Sequence, residues 1–189
     1  MAHILVAGAG YVGLSLIAKL RSAGHRVTGL RRSPPEFRGA AAWLAADVTR
    51  PMTLADLPDD LDLVVSALSP SGRDAASYRK IFFTGTGHLL AALGDRRPPF
   101  VFVSSTRVYG ADDGRWVDET TAPEPACPLG QVLLEAEQQV LDAGPGTCVV
   151  RFSGIYGPGR TWLVDRVRRG DPVQYDPPAY TNRIHRDDC

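Results

Sequence analysis

A glycine pattern near the amino terminus constrains the fold of this 189-residue chain more than any other feature. The apolar run His3–Ala7 predicts a strand, and apolar residues at helical spacing over 11–23 predict a helix directly after it. The six residues from the turn into that helix have the pattern GxGxxG: Gly8, Ala9, Gly10, Tyr11, Val12 and Gly13. Such a turn leaves the first N–H groups of the helix free to bind phosphate oxygens. The pattern therefore predicts a dinucleotide-binding site.

The rest of the chain alternates short apolar runs with stretches of helical periodicity. Strands are predicted at 26–30, 42–46, 61–67, 100–104 and Thr147–Phe152, and helices at 74–93 and 128–143. Apolar strands separated by helices are typical of a parallel sheet that is covered on both faces. Right-handed crossovers then give one doubly wound α/β domain, a Rossmann fold over 1–189. The end of the chain, 170–189, is expected to be mostly loop.

Charge and composition argue against several other classes of protein. The 21 basic and 21 acidic side chains cancel, which removes the electrostatic basis for binding nucleic acid or an anionic membrane. No apolar run reaches the roughly 18 residues that a membrane helix needs. Cys127, Cys148 and Cys189 are far apart in sequence, so neither a disulfide framework nor a metal site is expected. A cytoplasmic protein is the expectation.

The end of the second predicted strand indicates which nicotinamide cofactor the site prefers. An NAD site usually has an acidic residue there, which binds the ribose 2′-hydroxyl, whereas this sequence has Arg31 and Arg32. Two guanidinium groups suit the 2′-phosphate of NADP. We expect NADP(H), with NAD as the alternative; a solvated surface pair is the other interpretation of the two arginines.

Residues after the third and fourth predicted strands complete the expected cofactor site. They are Asp47, Val48, Ala67 and Leu68. Asp47 is expected either to accept a hydrogen bond from the adenine amino group or to be an ordinary loop residue.

Further motifs carry a resemblance to a known family. They are 103–110 (VSSTRVYG), 118–120 (DET), 151–160 (RFSGIYGPGR) and 182–188 (NRIHRDD). Together with the glycine turn they resemble the extended and atypical short-chain dehydrogenases/reductases, the NAD-dependent epimerase/dehydratase family, and especially its YeeZ-like branch. The resemblance covers essentially the whole chain. It implies a Rossmann fold, a nicotinamide cofactor, and oxidoreductase or epimerase chemistry on a polar, sugar-nucleotide-like small molecule.

The resemblance also implies where the reactive groups lie. Ser105 would be the catalytic hydroxyl that binds a substrate oxygen at the end of the fifth strand, and the alternative is a strand terminus without a catalytic role. Tyr109 is the best remaining candidate for an ionisable catalytic group, although in relatives it serves positioning or packing. Thr106 and Arg160 are expected to contact substrate. Arg160 would bind a phosphate or carboxylate, or it is a solvated loop arginine.

The sequence departs from the family in two respects. Relatives carry Tyr-x-x-x-Lys on the helix after the fifth strand, where this chain has Leu129 and Leu133; this helix face is expected to be core. A missing general acid/base costs roughly 10²–10⁴ in rate, so a non-catalytic NADP(H)-binding sensor or scaffold is the second hypothesis. The chain is also shorter than extended relatives, so 153–189 is expected to begin a reduced or truncated substrate lobe. Helices on such sheets often pair, which makes a homodimer a candidate assembly.

Overall fold

The computed structural model describes residues 1–35, 41–172, 174 and 176–189, and its centre is a parallel sheet. The six strands are β1 (His3–Ala7), β2 (Arg26–Arg31), β3 (Ala42–Ala45), β4 (Leu63–Ser66), β5 (Phe100–Ser105) and β6 (Thr147–Phe152). Their order is β3-β2-β1-β4-β5-β6, and each neighbouring pair is parallel. This order reverses direction between β1 and β4, as in a doubly wound fold. The predicted fold class is confirmed.

Helices connect most of these strands. In the described ranges they are α1 (Tyr11–Ser22), α2 (Ala75–Tyr78), α3 (Thr86–Leu93), α4 (Pro128–Asp142) and α5 (Trp162–Arg168). A π-helical segment, Arg79–Gly85, joins α2 to α3, so the helix predicted over 74–93 is one continuous run of helical turns. None of the described helices is long and apolar enough to cross a membrane.

The apolar core has two layers, one on each face of the sheet. Successive residues of a strand point to opposite faces, and β1 shows this directly. Leu5 and Ala7 belong to a large cluster that includes Leu133 of α4. Ile4 and Val6 belong to a second cluster with Ile17 of α1. The four consecutive apolar residues 4–7 of β1 are therefore required at the centre of this sheet, because both of its faces are covered.

Two short strands outside the main sheet organise the end of the chain. β7 (Gly154–Tyr156) and β8 (Arg183–His185) pair in parallel, and a 3₁₀ turn at Arg186–Asp188 follows. The Lys19 ammonium of α1 donates a hydrogen bond to the Asp187 carbonyl. Residues 183–188 are the part of the mostly loop-like end 170–189 that forms regular structure, because β8 pairs with a strand distant in sequence. Residues 173 and 175 lie outside the described residues.

Candidate functional site

Glycine is needed at the three positions of the turn between β1 and α1 for different reasons. Gly8 has a φ of +91°, and a Cβ on it would lie 2.5 Å from the Ala67 carbonyl oxygen. A Cβ on Gly13 would lie 2.4 Å from the Gly8 carbonyl oxygen. A Cβ on Gly10, by contrast, would approach no atom beyond its chain neighbours closer than 4.0 Å. Packing within the chain therefore explains Gly8 and Gly13, whereas Gly10 leaves space open beside the helix terminus.

The amino terminus of α1 faces this open space. Gly10 is its N-cap and provides no side-chain hydrogen bond, and the first turn contains no acidic residue. The first N–H groups of a helix lack intrahelical acceptors and carry a partial positive charge. The space that a Cβ on Gly10 would fill is bordered by the first N–H groups of α1. This phosphate cradle fits a pyrophosphate.

One cleft of about 760 Å³ connects the glycine turn with the carboxyl end of β5. All the predicted cofactor residues except Gly13 line it: Gly8, Gly10, Tyr11, Val12, Arg31, Arg32, Asp47, Val48, Ala67 and Leu68. Ser105 and Arg160 also line the cleft, whereas Thr106 and Tyr109 are not among its lining residues. The carboxyl ends of parallel strands share one edge of the sheet, which is why residues so distant in sequence meet here.

Asp47 provides a carboxylate at the β2–β3 end of the cleft. Its Oδ1 accepts hydrogen bonds from the Thr49 backbone N–H at 2.9 Å and from the Thr49 hydroxyl at 2.8 Å. Partial burial alone would raise the pKa of Asp47, but these hydrogen bonds and the charges of Arg32 and Arg50 outweigh it and hold the pKa below its ordinary value. Asp47 is therefore an ionised acceptor, and both of its bonds to Thr49 use the same oxygen.

The reactive end of the cleft combines one hydroxyl with an apolar wall. Ser105 ends β5, and its Oγ accepts a hydrogen bond from the Arg107 backbone N–H at 3.2 Å. Leu129 and Leu133 of α4 line the same cleft. Leu133 also packs in the core at 1% exposure, while Leu129 is half-buried. The expectation that this face is simply core is thus incomplete, because both leucines border the cleft.

Tyr109 belongs to a polar network. Its hydroxyl donates to the Asp118 carbonyl at 3.0 Å and accepts from Arg151 Nη1 at 2.7 Å. Arg151 Nη2 lies 2.6 Å from Oε2 of Glu137. Glu137 is 1% exposed, and it also accepts a hydrogen bond from Ser104 Oγ at 2.5 Å. Hydrogen bonds to Glu137 raise the pKa of Arg151. The Tyr109 hydroxyl is thereby held between the Asp118 backbone and Arg151 of β6, and the predicted catalytic role of Tyr109 stays a prediction.

Sequence reasoning missed this network and also an arginine–thiol contact. The signal that could have revealed the network is Glu137, which lies on the apolar face of α4, since a buried carboxylate needs a partner. For the second, Arg107 Nη1 lies 3.9 Å from Cys127 Sγ. The Gly130 backbone N–H, helped by Arg107 and opposed by burial, lowers the pKa of the Cys127 thiol. Arg107 and Cys127 are 20 residues apart along the chain, so no local sequence pattern indicated this contact.

Arg160 lies beside the glycine turn. Its guanidinium carbon is 4.0 Å from the centroid of the Tyr11 ring, and the Arg186 guanidinium carbon is 5.3 Å from the same centroid. These cation–π contacts place the cationic group of Arg160 next to the first residue of α1.

The strand order, the glycine cradle and the cleft across the strand ends define a Rossmann-type nucleotide-binding protein. Residues 4–174 match the model of the NAD-dependent epimerase/dehydratase family. The chain belongs to this family, and the resemblance inferred from its motifs is confirmed.

Two curated relatives are similar to most of this chain. Protein YeeZ of Escherichia coli K12 is 31% identical over 170 residues, which cover 85% of this chain and 61% of YeeZ. The probable low-salt glycan biosynthesis reductase Agl14 of Haloferax volcanii is 27% identical over 199 aligned residues, covering 96% of this chain and 64% of Agl14. The chain thus spans less than two thirds of the length of either relative.

Solved structures give the same assignment. A protein from Methylobacillus flagellatus that is assigned to the NAD-dependent epimerases/dehydratases superposes with a TM-score of 0.82 at 39% identity, covering 99% of this chain and 66% of its own. MoeE5, solved with UDP-glucose and NAD, superposes with a TM-score of 0.79 at 25% identity, covering 97% of this chain and 68% of its own.

Proposed function

We propose that this chain binds NADP(H) in the cleft and acts as an oxidoreductase or epimerase-like protein on a polar, sugar-nucleotide-like substrate. One observation carries the proposal: a phosphate cradle, two arginines and a hydroxyl border a single cleft, in the order in which a dinucleotide and then a substrate would fill it. The complex of MoeE5 with UDP-glucose and NAD supports the substrate class. The name of Agl14 supports reductase chemistry.

The residues at the β1–β2 side of the cleft are suited to hold the cofactor. The N–H groups at the start of α1 would bind the pyrophosphate, and Arg160 would add positive charge beside them. Arg31 and Arg32 would bind the 2′-phosphate, since neither makes an ion pair within the described part of the chain. Asp47 would accept a hydrogen bond from the adenine amino group. The bound nicotinamide supplies hydride transfer.

Ser105 would act on the substrate oxygen. A hydroxyl has one proton to donate and two lone pairs, and the Arg107 N–H occupies one lone pair. The proton of Ser105 therefore remains available for a substrate hydroxyl or carbonyl. Leu129 and Leu133 would exclude water from the opposite wall but cannot exchange a proton.

The apolar wall favours a second candidate function. Leu129 and Leu133 border the cleft, and the resemblance implies that relatives carry an ionisable pair at these positions. A site that holds the cofactor without a general acid would serve as a non-catalytic NADP(H)-binding sensor or scaffold.

Arg31→Ala is expected to weaken NADPH binding by about tenfold or more, because one charge-assisted hydrogen bond to phosphate is lost. The affinity for NADH, which lacks the 2′-phosphate, is expected to change less than about twofold. Nicotinamide fluorescence measures both affinities, and Arg21→Ala on the exposed side of α1 is the matched control. Tighter binding of NADH than of NADPH, unaffected by Arg31→Ala, would refute the NADP preference.

Ser105→Ala is expected to reduce NADPH consumption by about a hundredfold or more, with NADPH affinity unchanged. The assay follows NADPH with a panel of nucleotide sugars and small carbonyl compounds. Ser15→Ala on α1, outside the cleft lining, is the control. Cofactor binding without turnover of any panel member supports the sensor. Turnover that is unaffected by Ser105→Ala contradicts the proposed role of the hydroxyl.

A further inference from the structure

We infer that Arg107, assisted by Arg73, forms an anion-binding subsite at the Ser105 end of the cleft. The substrate that reaches Ser105 then carries a carboxylate or phosphoryl group close to its reacting carbon. The inference rests on the proposed function, because it assigns the part of the same cleft that lies beyond the cofactor.

The first support is the charge of the cleft. Its lining contains one acidic residue, Asp47, and five arginines: Arg31, Arg32, Arg73, Arg107 and Arg160. The whole chain has a net charge of zero, so this excess of positive charge is local. Several arginines elsewhere pair with carboxylates, as Arg79 does with Glu135 and Arg151 with Glu137. A cleft lined mainly by one sign of charge raises the local concentration of ligands of the opposite sign.

The second support is the position of each arginine along the strand ends. Arg31 ends β2, Arg32 follows it, and Arg160 stacks on Tyr11, so these three border the cradle and the region next to it. Arg73 and Arg107 follow β4 and β5, which are neighbours in the sheet. The charges of the dinucleotide are met by the first group. Within the described residues, neither Arg73 nor Arg107 makes an ion pair, and both line the cleft that Ser105 also lines.

The third support is the local geometry of Arg107. Its backbone N–H holds Ser105 Oγ at 3.2 Å, and its guanidinium contacts Cys127 Sγ at 3.9 Å. The thiol contact is long and sulfur is a weak acceptor, so the guanidinium keeps its capacity for a bidentate bond to carboxylate or phosphoryl oxygens. The first turn of α4, which Cys127 caps, contains no acidic residue that would compete for it. Ser105 and Arg107 can therefore bind two groups of one small molecule.

Three sugars that differ in one group test the subsite: glucose, glucuronate and glucose 6-phosphate. Each is titrated into NADPH-saturated protein and followed by ligand-observed NMR, which measures millimolar affinities. At least one of the two anions is expected to bind about tenfold or more tightly than glucose. The anion that binds more tightly identifies whether the group is a carboxylate or a phosphoryl group.

Arg107→Gln is expected to remove the preference for the anionic sugar over glucose, and Arg73→Gln is expected to reduce it. Arg21→Gln, outside the cleft, should leave the preference unchanged. Similar affinity for glucose and both anions, or a preference that survives Arg107→Gln, overturns the inference. NADPH titrated into the same variants keeps the two proposals separate. Failure of the wild-type protein to bind NADPH would refute the proposed cofactor, and the sugar titrations on unloaded protein would still decide the subsite.

Discussion

Gly10→Ala is expected to weaken dinucleotide binding by about ten- to a hundredfold, because the added methyl group would occupy space through which a pyrophosphate approaches the helix N–H groups. Stability should hardly change, since this Cβ would meet no atom beyond its chain neighbours closer than 4.0 Å. Cofactor titration and thermal unfolding of the same preparation measure the two effects.

Gly13→Ala is the matched control, with the same chemical change three residues further along. Its Cβ would lie 2.4 Å from the Gly8 carbonyl oxygen, which is backbone and cannot rotate away. Overpacking of this kind costs about 1–3 kcal/mol, so the expected result is a lower unfolding temperature. If Gly10→Ala binds the dinucleotide as the wild type does, the phosphate cradle is placed wrongly. Destabilisation by Gly10→Ala equal to that by Gly13→Ala would refute the steric distinction between them.

Glu137→Ala is expected to lower the free energy of unfolding by about 3 kcal/mol, since breaking a buried ion pair leaves the remaining charge and hydrogen-bonding groups uncompensated. The variant removes the partner of Arg151 and the acceptor of Ser104 Oγ. For a chain of this length, the unfolding temperature should fall by about 6–12 °C. Thermal and urea unfolding followed by circular dichroism measure the change.

Glu135→Ala, two residues earlier on α4, is the control for Glu137. Glu135 Oε2 also pairs with an arginine, Arg79, at 2.6 Å, but both side chains are substantially exposed, at 34% and 47%. Exposed pairs contribute roughly 0–1 kcal/mol, so the unfolding temperature of this variant should be close to that of the wild type. Equal losses for the two glutamates would show that burial does not determine the strength of these pairs.

Much of the fold could be predicted because its determinants are local. A mainly apolar strand, a glycine turn and a stretch of helical periodicity follow one another in the first 22 residues. The residues that line the cleft could be predicted for the same reason, because the edge where parallel strands end is known once the strands are known. Asp47 and Leu68 could be assigned to the cleft without knowledge of any side-chain contact.

Contacts between distant segments could not be predicted from these patterns. The strand β8 exists because it pairs with β7, and neither sequence alone has a clear period-two pattern. The place of Tyr109 depends on Arg151, 42 residues later. Leu129 also could not be assigned to the cleft from the sequence. An apolar residue on a helix predicts burial, but it does not show that the residue borders a cleft.

The contacts of Arg160 and Arg186 with the Tyr11 ring have a thermodynamic consequence for the end of the chain. Arg160 belongs to the segment after β6 and also lines the cleft, so an anion bound at the start of α1 and the contact of Arg160 with Tyr11 of that helix would draw on the same guanidinium. Linkage between two equilibria that share a group is reciprocal. The factor by which an anion bound at the start of α1 would strengthen or weaken this contact is therefore the factor by which the contact would change the affinity for that anion.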